Sequence, residues 1–308
     1  MKKSLKSYVP DFLDWLDIEK GLSSKSQENY AHFVKHFFDW LEKEGLGDIT
    51  PRSITEKHIW KYKVYLSRHK SLKRSTQNYY LIALRSLLGY LLEKDITSLP
   101  PEKIRLAREK EKQQIRFLTR DQLKKFFDGP NTSTFLGLRD RVILEILFST
   151  GLRIAELVAL NREQIKIPKN PSEELEIVVT GKGRRVRPVY FSHRSLYWLS
   201  LYLKKRTDTD PALLITCRNY KTKTEVKRIS PRTIQTAFKK YAVLSGIPLD
   251  TTPHVIRHSF ATDLLSQGVD IRTIQEFLGH KNIAATQIYA HLTSKQLKEI
   301  HRKFHSKI

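Results

Sequence analysis

Apolar residues in the first hundred positions recur at the three- and four-residue spacing of amphipathic helices. The clearest case is 24–44, where a capping box is predicted at 24–27 and Gly45 follows in the position of a helix stop. The same spacing predicts three more helices, at about 8–19, 55–68 and 75–93. The aromatic residues of these helices, Tyr79 among them, are expected to be core. The pattern thus predicts a four-helix bundle.

Two prolines, Pro100 and Pro101, end this bundle because proline cannot continue a helix. The following stretch, 102–116, holds six basic and three acidic residues and few large apolar ones. We interpret it as a linker. It either lies along a polyanion or is a solvated hinge, and the composition does not favour one over the other.

Beyond residue 117 the pattern is mostly helical with one β interruption. Runs rich in β-formers at 175–179 and 185–190 flank a Gly-Lys-Gly turn, which predicts a hairpin or the edge of a small sheet. Pro188 favours an edge strand. A further short strand is predicted at 213–216. The helices are expected at these places: 119–127, 137–149, from Arg153 onward, 193–206, 231–245, 254–267, 270–278 and 283–305.

The net positive charge of the chain indicates which kind of partner it binds. The 308 residues include 56 Lys and Arg against 32 Asp and Glu, a formal net charge of +24. Residues 1–50 hold 7 basic and 9 acidic residues, whereas 51–92 hold 9 basic residues and only Glu56. A segment in which nearly all the charges are positive favours a nucleic-acid contact face, because Lys and Arg neutralise phosphates and release their counterions.

Other classes are disfavoured by composition. No apolar run approaches the roughly 18 residues of a membrane span, and the N-terminus has no apolar signal region. Cys217 is the single cysteine, which excludes an internal disulfide or a cysteine metal cluster. We therefore expect a cytoplasmic protein with no membrane partner, associated with the nucleoid when bound to DNA.

Six polar residues are individually unremarkable but stand in an informative order. Each has a common structural explanation when taken alone, such as a surface arginine, a solvated hairpin lysine or a core tyrosine. In chain order they are Arg153, Lys182, His254, Arg257, His280 and Tyr289.

This order resembles that of the tyrosine recombinase (phage integrase) family. The local motifs are Ser-Thr-Gly-Leu-Arg-Ile-Ala-Glu-Leu at 149–157, Gly-Lys-Gly at 181–183 and His-Val-Ile-Arg-His-Ser-Phe-Ala-Thr at 254–262. Ile256 stands where the family commonly has leucine, a change that should affect packing only. The two-domain layout and compact length are most similar to the Xer type.

The resemblance implies a mainly α fold. Residues 1–100 would form a four-helix, SAM-like core-binding domain, 101–116 a basic linker, and 117–308 an α+β catalytic domain with a small antiparallel sheet. It also implies a metal- and ATP-independent enzyme that cleaves and rejoins DNA strands through a 3′-phosphotyrosyl intermediate. Tyr289 would be the nucleophile, and Lys182 would protonate the leaving 5′-oxygen.

The residue types suit this chemistry independently. Two arginines offer bidentate forks to phosphate oxygens and keep their charge, and histidines exchange protons near neutral pH. The tyrosine pKa of about 10 must be lowered by cationic neighbours before a phenolate forms at pH 7. The sequence has neither an acidic cluster at metal-binding spacing nor a Walker motif, so no cofactor or metal is expected.

The expected partner is a double-stranded DNA recombination site, bound by a homo- or hetero-tetramer on synapsed DNA. In the family, the terminal segment docks on a neighbouring subunit, and here it carries apolar residues at helical spacing; the alternative is that it packs on its own domain. Two other functions compete: a non-catalytic DNA-binding accessory protein and a type IB topoisomerase. The choice between chromosome or plasmid dimer resolution, with its role in chromosome partition, and mobile-element integration or excision stays open.

Overall fold

Separate clusters of buried apolar residues divide the chain into two units, Met1–Gln113 and Gln114–Ile308. The computed structural model describes residues 3–68, 71–107, 116–168, 175–181, 186–216 and 226–279. Within these residues, no helix combines the length and apolar character needed to cross a membrane.

The N-terminal unit is a four-helix bundle, as predicted. Its helices are α1 (Val9–Ile18), α2 (Ser24–Lys43), α3 (Glu56–Arg68) and α4 (Arg74–Glu93), with short 3-10 turns at Leu5–Tyr8, Pro51–Ser53 and Pro101–Lys103. Large side chains fill the centre, where Phe12, Phe37, Leu41 and Tyr62 are almost entirely shielded from solvent. Their burial on one face of each helix is the main source of the bundle's stability.

Two details of the bundle differ from the sequence prediction. The cap of α2 is Ser23, whose hydroxyl accepts from the Ser26 amide at 3.4 Å, so the predicted capping box at 24–27 is wrong. Gln27 instead donates its side-chain amide to the Leu22 carbonyl at 2.8 Å. Tyr79 is not core: it is 58% exposed and stacks on Phe33 at a ring separation of 6.3 Å. Helical spacing placed it near the buried face, but α4 turns its leucines inward there.

The segment after the double proline packs on the bundle through Ala107. Ile104 is fully buried in the N-terminal core. Lys63 donates to the Arg105 carbonyl at 2.6 Å, and the Asn78 side chain forms a pair of 2.9 Å bonds with the Ala107 backbone. Apolar packing by Ile104 and Leu106, together with these hydrogen bonds, therefore anchors the first residues of the predicted linker.

In its described residues, the second unit is mainly helical with two small antiparallel sheets, which confirms the predicted fold class. Its helices are α5 (Arg120–Asp128), α6 (Phe135–Thr150), α7 (Ile154–Ala159), α8 (His193–Lys205), α9 (Pro231–Leu244), α10 (Pro253–Ser266) and α11 (Ile271–Leu278). The predicted helix at 283–305 lies outside the described residues.

The sheets are both two-stranded among the described residues. Strand β1 (Leu175–Thr180) pairs with β2 (Val186–Phe191), and Pro188 lies opposite Val178. Strand β3 (Ile215–Thr216) pairs with β4 (Lys227–Arg228), a strand that the sequence did not predict. Only two residues form β4, too few for a periodic pattern.

Helix α6 runs through the centre of the second unit and fixes the place where the site is built. Even its charged residues are buried, and they neutralise one another. Arg139 pairs with Asp140 at 2.6 Å, and Arg141 with Glu145 at 2.8 Å. Because α6 is buried on all sides from Gly137 to Leu147, the turn that follows Thr150 has a fixed position.

Candidate active site

The first wall of the site is the turn between α6 and α7. Gly151 ends α6 in the left-handed region, with φ of +60°, and donates to the Leu147 carbonyl at 3.1 Å. Arg153 then precedes α7 with extended backbone, and its N–H donates to the Glu156 carboxylate at 2.8 Å. This local capping places the Arg153 side chain at the mouth of the turn, where it is 28% exposed.

The second wall is the end of α11, where three arginines contact three consecutive backbone carbonyls. Arg187 Nε donates to the Phe277 carbonyl at 3.0 Å, and Arg257 Nη2 donates to that of Leu278. Arg153 Nη2 reaches the Gly279 carbonyl at 3.5 Å. The carbonyl end of a helix carries partial negative charge, which these cations neutralise.

Arg257 joins the two walls. It lies on α10, is 4% exposed, and donates from Nη1 to the Gly151 carbonyl at 2.5 Å. The buried guanidinium thus ties the end of α6 to the end of α11.

Two histidines of α10 flank this arginine. The His254 side chain is only partly shielded from solvent, and this partial shielding, together with the charges of Arg257 and Arg153, lowers its pKa. Burial, with His254 and Arg257 nearby, lowers the pKa of His258 to about 4. Both rings are therefore neutral at pH 7 and can accept or donate one hydrogen bond at each nitrogen.

Glu156 and Arg187 belong to the same cluster, although the motif order did not predict them as site residues. Arg187 forms a two-pronged pair with the Glu156 carboxylate at 2.8 and 3.1 Å, and both side chains are buried. Burial raises the pKa of Glu156, but hydrogen bonds from Arg187 and Arg153 outweigh it and hold the pKa at about 2. The carboxylate is therefore ionised at any physiological pH.

Two signals in the sequence could have pointed to these residues one at a time, without pairing them. Glu156 occupies the third helical position after Arg153, where a capping glutamate is expected. Arg187 alternates with exposed residues on β2, so the strand period of two points it inward. An inward-facing arginine needs an acidic partner.

The structure brings together three of the six predicted site residues: Arg153, His254 and Arg257. Lys182, His280 and Tyr289 lie outside the described residues. The adjoining residues are described, however: Gly181 follows strand β1, and Gly279, which immediately precedes His280, accepts from Arg153.

The described arrangement is a cationic site with neutral imidazoles beside it. Guanidinium groups held in fixed directions can stabilise negative charge that develops on a phosphate. Within the described residues, no group of three or more His, Cys, Asp or Glu side chains has a geometry that could hold a metal ion.

Known proteins share both units. Residues 116–296 match the phage integrase family, and residues 10–98 match the phage integrase N-terminal SAM-like domain. The chain is 34% identical over 313 residues to tyrosine recombinase XerC of Pelotomaculum thermopropionicum, with 97% of each chain covered. It is 32% identical over 306 residues to tyrosine recombinase XerD of Listeria monocytogenes, covering 96% of this chain and 98% of the relative.

Solved structures agree in fold. XerA recombinase aligns with a TM-score of 0.52 at 25% identity, covering 99% of this chain and 100% of its own. The XerH site-specific recombinase bound to its palindromic difH substrate aligns with a TM-score of 0.73 at 19% identity, covering 99% and 98%.

The fold, the arginine cluster and these matches together define a tyrosine recombinase, a site-specific recombinase that cleaves and rejoins DNA strands. The chain belongs to the phage integrase family, and the relatives that it matches over nearly its whole length are Xer recombinases. The resemblance drawn from the motifs is thereby confirmed.

Proposed function

We propose that this chain binds a double-stranded recombination site and cleaves it with Tyr289. The observation that carries the proposal is the contact of three arginines with the carbonyls of residues 277–279, directly before His280. Cationic groups gathered at one helix end form a binding place for the scissile phosphate beside Arg153. In this assignment, residues 117–308 are the catalytic domain and residues 1–100 the core-binding domain, joined by the linker 101–116.

The reaction transfers the scissile phosphoryl group from the 5′-oxygen of the DNA to the Tyr289 oxygen. Tyr289 loses its hydroxyl proton to solvent and attacks phosphorus as the phenolate. The bond from phosphorus to the 5′-oxygen breaks, and Lys182 gives a proton to that oxygen. Arg153 and Arg257 stabilise the charge on the non-bridging oxygens, while His254 and His280 hydrogen-bond the phosphate. The 3′-phosphotyrosyl bond conserves the energy of the cut strand, so rejoining is the reverse reaction and needs no ATP.

Exposed basic residues of the N-terminal unit supply the DNA surface. On the segment 51–92, Arg52, Lys57, Lys73 and Arg74 are exposed. Each phosphate neutralised releases counterions, so affinity should fall steeply as salt rises. Support also comes from the XerH relative, which is bound to its DNA substrate in a post-cleavage complex. In the cell, such binding would associate the protein with the nucleoid.

A nicked duplex tests the proposed chemistry. After cleavage beside a nick, the short leaving strand diffuses away and the covalent adduct is trapped. We expect an adduct that survives denaturation with the wild-type chain and none with Tyr289→Phe. DNA affinity should be nearly unchanged, because one hydroxyl adds little to many phosphate contacts.

The matched control is Tyr197→Phe, at a tyrosine that is 58% exposed on α8. It should form the adduct normally. An adduct with Tyr289→Phe contradicts the nucleophile assignment, and no adduct with the wild type would favour a non-catalytic accessory protein. Exchange of strands between two duplexes distinguishes the recombinase from a topoisomerase.

We further propose a homo- or hetero-tetramer on two synapsed sites, joined by exchange of the C-terminal segment. The apolar residues Leu292, Leu297, Ile300 and Phe304 fit one helix face. A closed ring of head-to-tail contacts requires a donor and an acceptor surface on every chain. Deletion of 294–308 should leave a folded protein that binds one site but does not assemble two, as measured by gel shift and light scattering. Two-site assembly by the truncated chain, or its unfolding, would contradict the exchange.

A further inference from the structure

We propose that Arg187 is a positioning residue: it occupies the Glu156 carboxylate and thereby keeps Arg153 available to DNA phosphate. This inference rests on the proposed function, because it assigns Arg153 to the scissile phosphate. Arg187 itself is buried and acts through its neighbours.

The carboxylate of Glu156 is shared among four donors. Oε1 accepts from Arg153 Nη1 at 2.9 Å and from Arg187 Nη1 at 3.1 Å. Oε2 accepts from the Arg153 backbone N–H and from Arg187 Nη2, both at 2.8 Å. An ionised carboxylate offers about four acceptor sites, so all of them are used. Arg153 therefore gives only one guanidinium nitrogen to Glu156, and its Nη2 is directed to the Gly279 carbonyl at 3.5 Å.

Removal of Arg187 changes this distribution. The Glu156 side chain is 6% exposed, so water cannot replace the two lost hydrogen bonds well. The nearest remaining cation is Arg153, which already contacts Oε1 and can swing a second nitrogen onto the carboxylate. A two-pronged pair of that kind is strong, and it would withdraw Arg153 from the DNA side of the turn.

Arg187 also fixes the backbone of the residues just before His280. Its Nε bonds the Phe277 carbonyl, and a Cβ at position 279 would come within 2.9 Å of its Cδ. Gly279 has φ of +60°, a conformation that also favours glycine. The arginine stem thus packs directly against the residue before His280, and Arg187 lies on β2, the strand that follows the Lys182 segment. The Arg187 side chain thus contacts both Glu156, the carboxylate partner of Arg153, and the residue before His280.

A double-mutant cycle on the full chain tests the competition for Glu156. The variants are Arg187→Met, which removes the charge and keeps much of the volume, Glu156→Gln, and the two combined. Single-turnover cleavage of the nicked duplex is measured at saturating protein, with gel-shift affinity and thermal unfolding in parallel. We expect Arg187→Met to slow cleavage by about 10²-fold, the usual effect of losing one transition-state donor, with affinity within about threefold of wild type.

The decisive comparison is the double variant. Because a glutamine side chain carries no charge to capture Arg153, Glu156→Gln should restore cleavage of the Arg187→Met chain by at least about tenfold. A merely structural role predicts the opposite, since a second loss in the same buried cluster would slow cleavage further. No rescue by the double variant, or wild-type cleavage by Arg187→Met, overturns the inference.

A replacement variant and a Tyr289→Phe control separate a folding failure, and a failure of the proposed function, from a failure of this inference. If Arg187→Met does not fold, Arg187→Gln takes its place in the cycle and the same two outcomes decide. Tyr289→Phe is run alongside. An adduct that requires Tyr289 together with failed rescue refutes only the role of Arg187, whereas an adduct that does not require Tyr289 refutes the proposed function itself.

Discussion

Substitution of Gly151 by alanine probes the turn that carries Arg153. The glycine has φ of +60°, and a Cβ there would lie 2.7 Å from Cδ1 and 2.8 Å from Cε1 of Phe260. Real Cβ atoms do not approach ring carbons so closely, so the ring or the turn must move. Alanine at this position therefore incurs two separate costs.

A second glycine, Gly246, separates the cost of the left-handed backbone from the cost of the clash with Phe260. The left-handed backbone costs an alanine about 1 kcal/mol. Forcing extra volume into a packed site typically adds about 1–3 kcal/mol. Gly246 has φ of +61°, and a Cβ there would meet nothing within 4 Å, so Gly246→Ala incurs only the backbone cost. We expect Gly151→Ala to lower the free energy of unfolding by about 2–4 kcal/mol and Gly246→Ala by about 1 kcal/mol.

Urea unfolding of the full chain, followed by circular dichroism, measures the difference. Both glycines lie in the second unit, so both changes act on the same transition. Gly151→Ala should also slow DNA cleavage, because the Gly151 carbonyl accepts from Arg257 at 2.5 Å and moves with the turn. Equal midpoints for the two variants would refute the steric argument.

Three other predictions concern charge and protons. Arg153→Lys and Arg257→Lys keep the charge but lose the fork, so single-turnover cleavage should fall at least about 10²-fold, and near-normal rates would remove these arginines from the transition state. Lys182→Ala should be inactive on ordinary DNA and largely rescued by a bridging 5′-sulfur, which leaves without a proton; without rescue, Lys182 would not be the proton donor. Burial lowers the pKa of His258 from its ordinary 6.5 to about 4, so the unfolded chain binds the proton first as pH falls. Its contribution to stability is complete above pH 6.5 and is lost toward pH 4, by at most about 3 kcal/mol, and His258→Gln should flatten that part of the urea-unfolding profile. If His258→Gln leaves the pH dependence of unfolding unchanged, the lowered pKa is not that of His258.

Local periodicity predicted most helices well, because a helix records its buried face every three or four residues. The helix expected at 231–245 is α9, Pro231–Leu244, and the one expected at 270–278 is α11, Ile271–Leu278. Strand β4 escaped prediction because its two residues are specified by pairing with β3 and not by any pattern of their own. Tyr79 was misplaced for a related reason, since which edge of an apolar stripe is covered depends on the neighbouring helices.

The site residues also fall into those that local motifs identify and those that only the tertiary fold brings together. Motif order identified Arg153, His254 and Arg257, which the fold brings together. The bond between Glu156 and Arg187 joins residues on different elements, and no local rule selects that partner. Only the tertiary fold reveals that the glutamate after the first arginine is neutralised from the strand of the hairpin.

The end of α11 explains why so many arginines are needed at one place. A helix C-terminus carries partial negative charge, which by itself would repel a DNA phosphate brought beside Gly279. The structure covers the carbonyls of Phe277, Leu278 and Gly279 with one guanidinium each. A guanidinium has five N–H donors, so bonds to a carbonyl do not exhaust it. Arg187 and Arg257 are buried and hold the helix end, whereas Arg153 is the most exposed of the three. The buried arginines thus convert a repulsive helix end into a cationic base, at which Arg153 and Arg257 can stabilise charge on the phosphate.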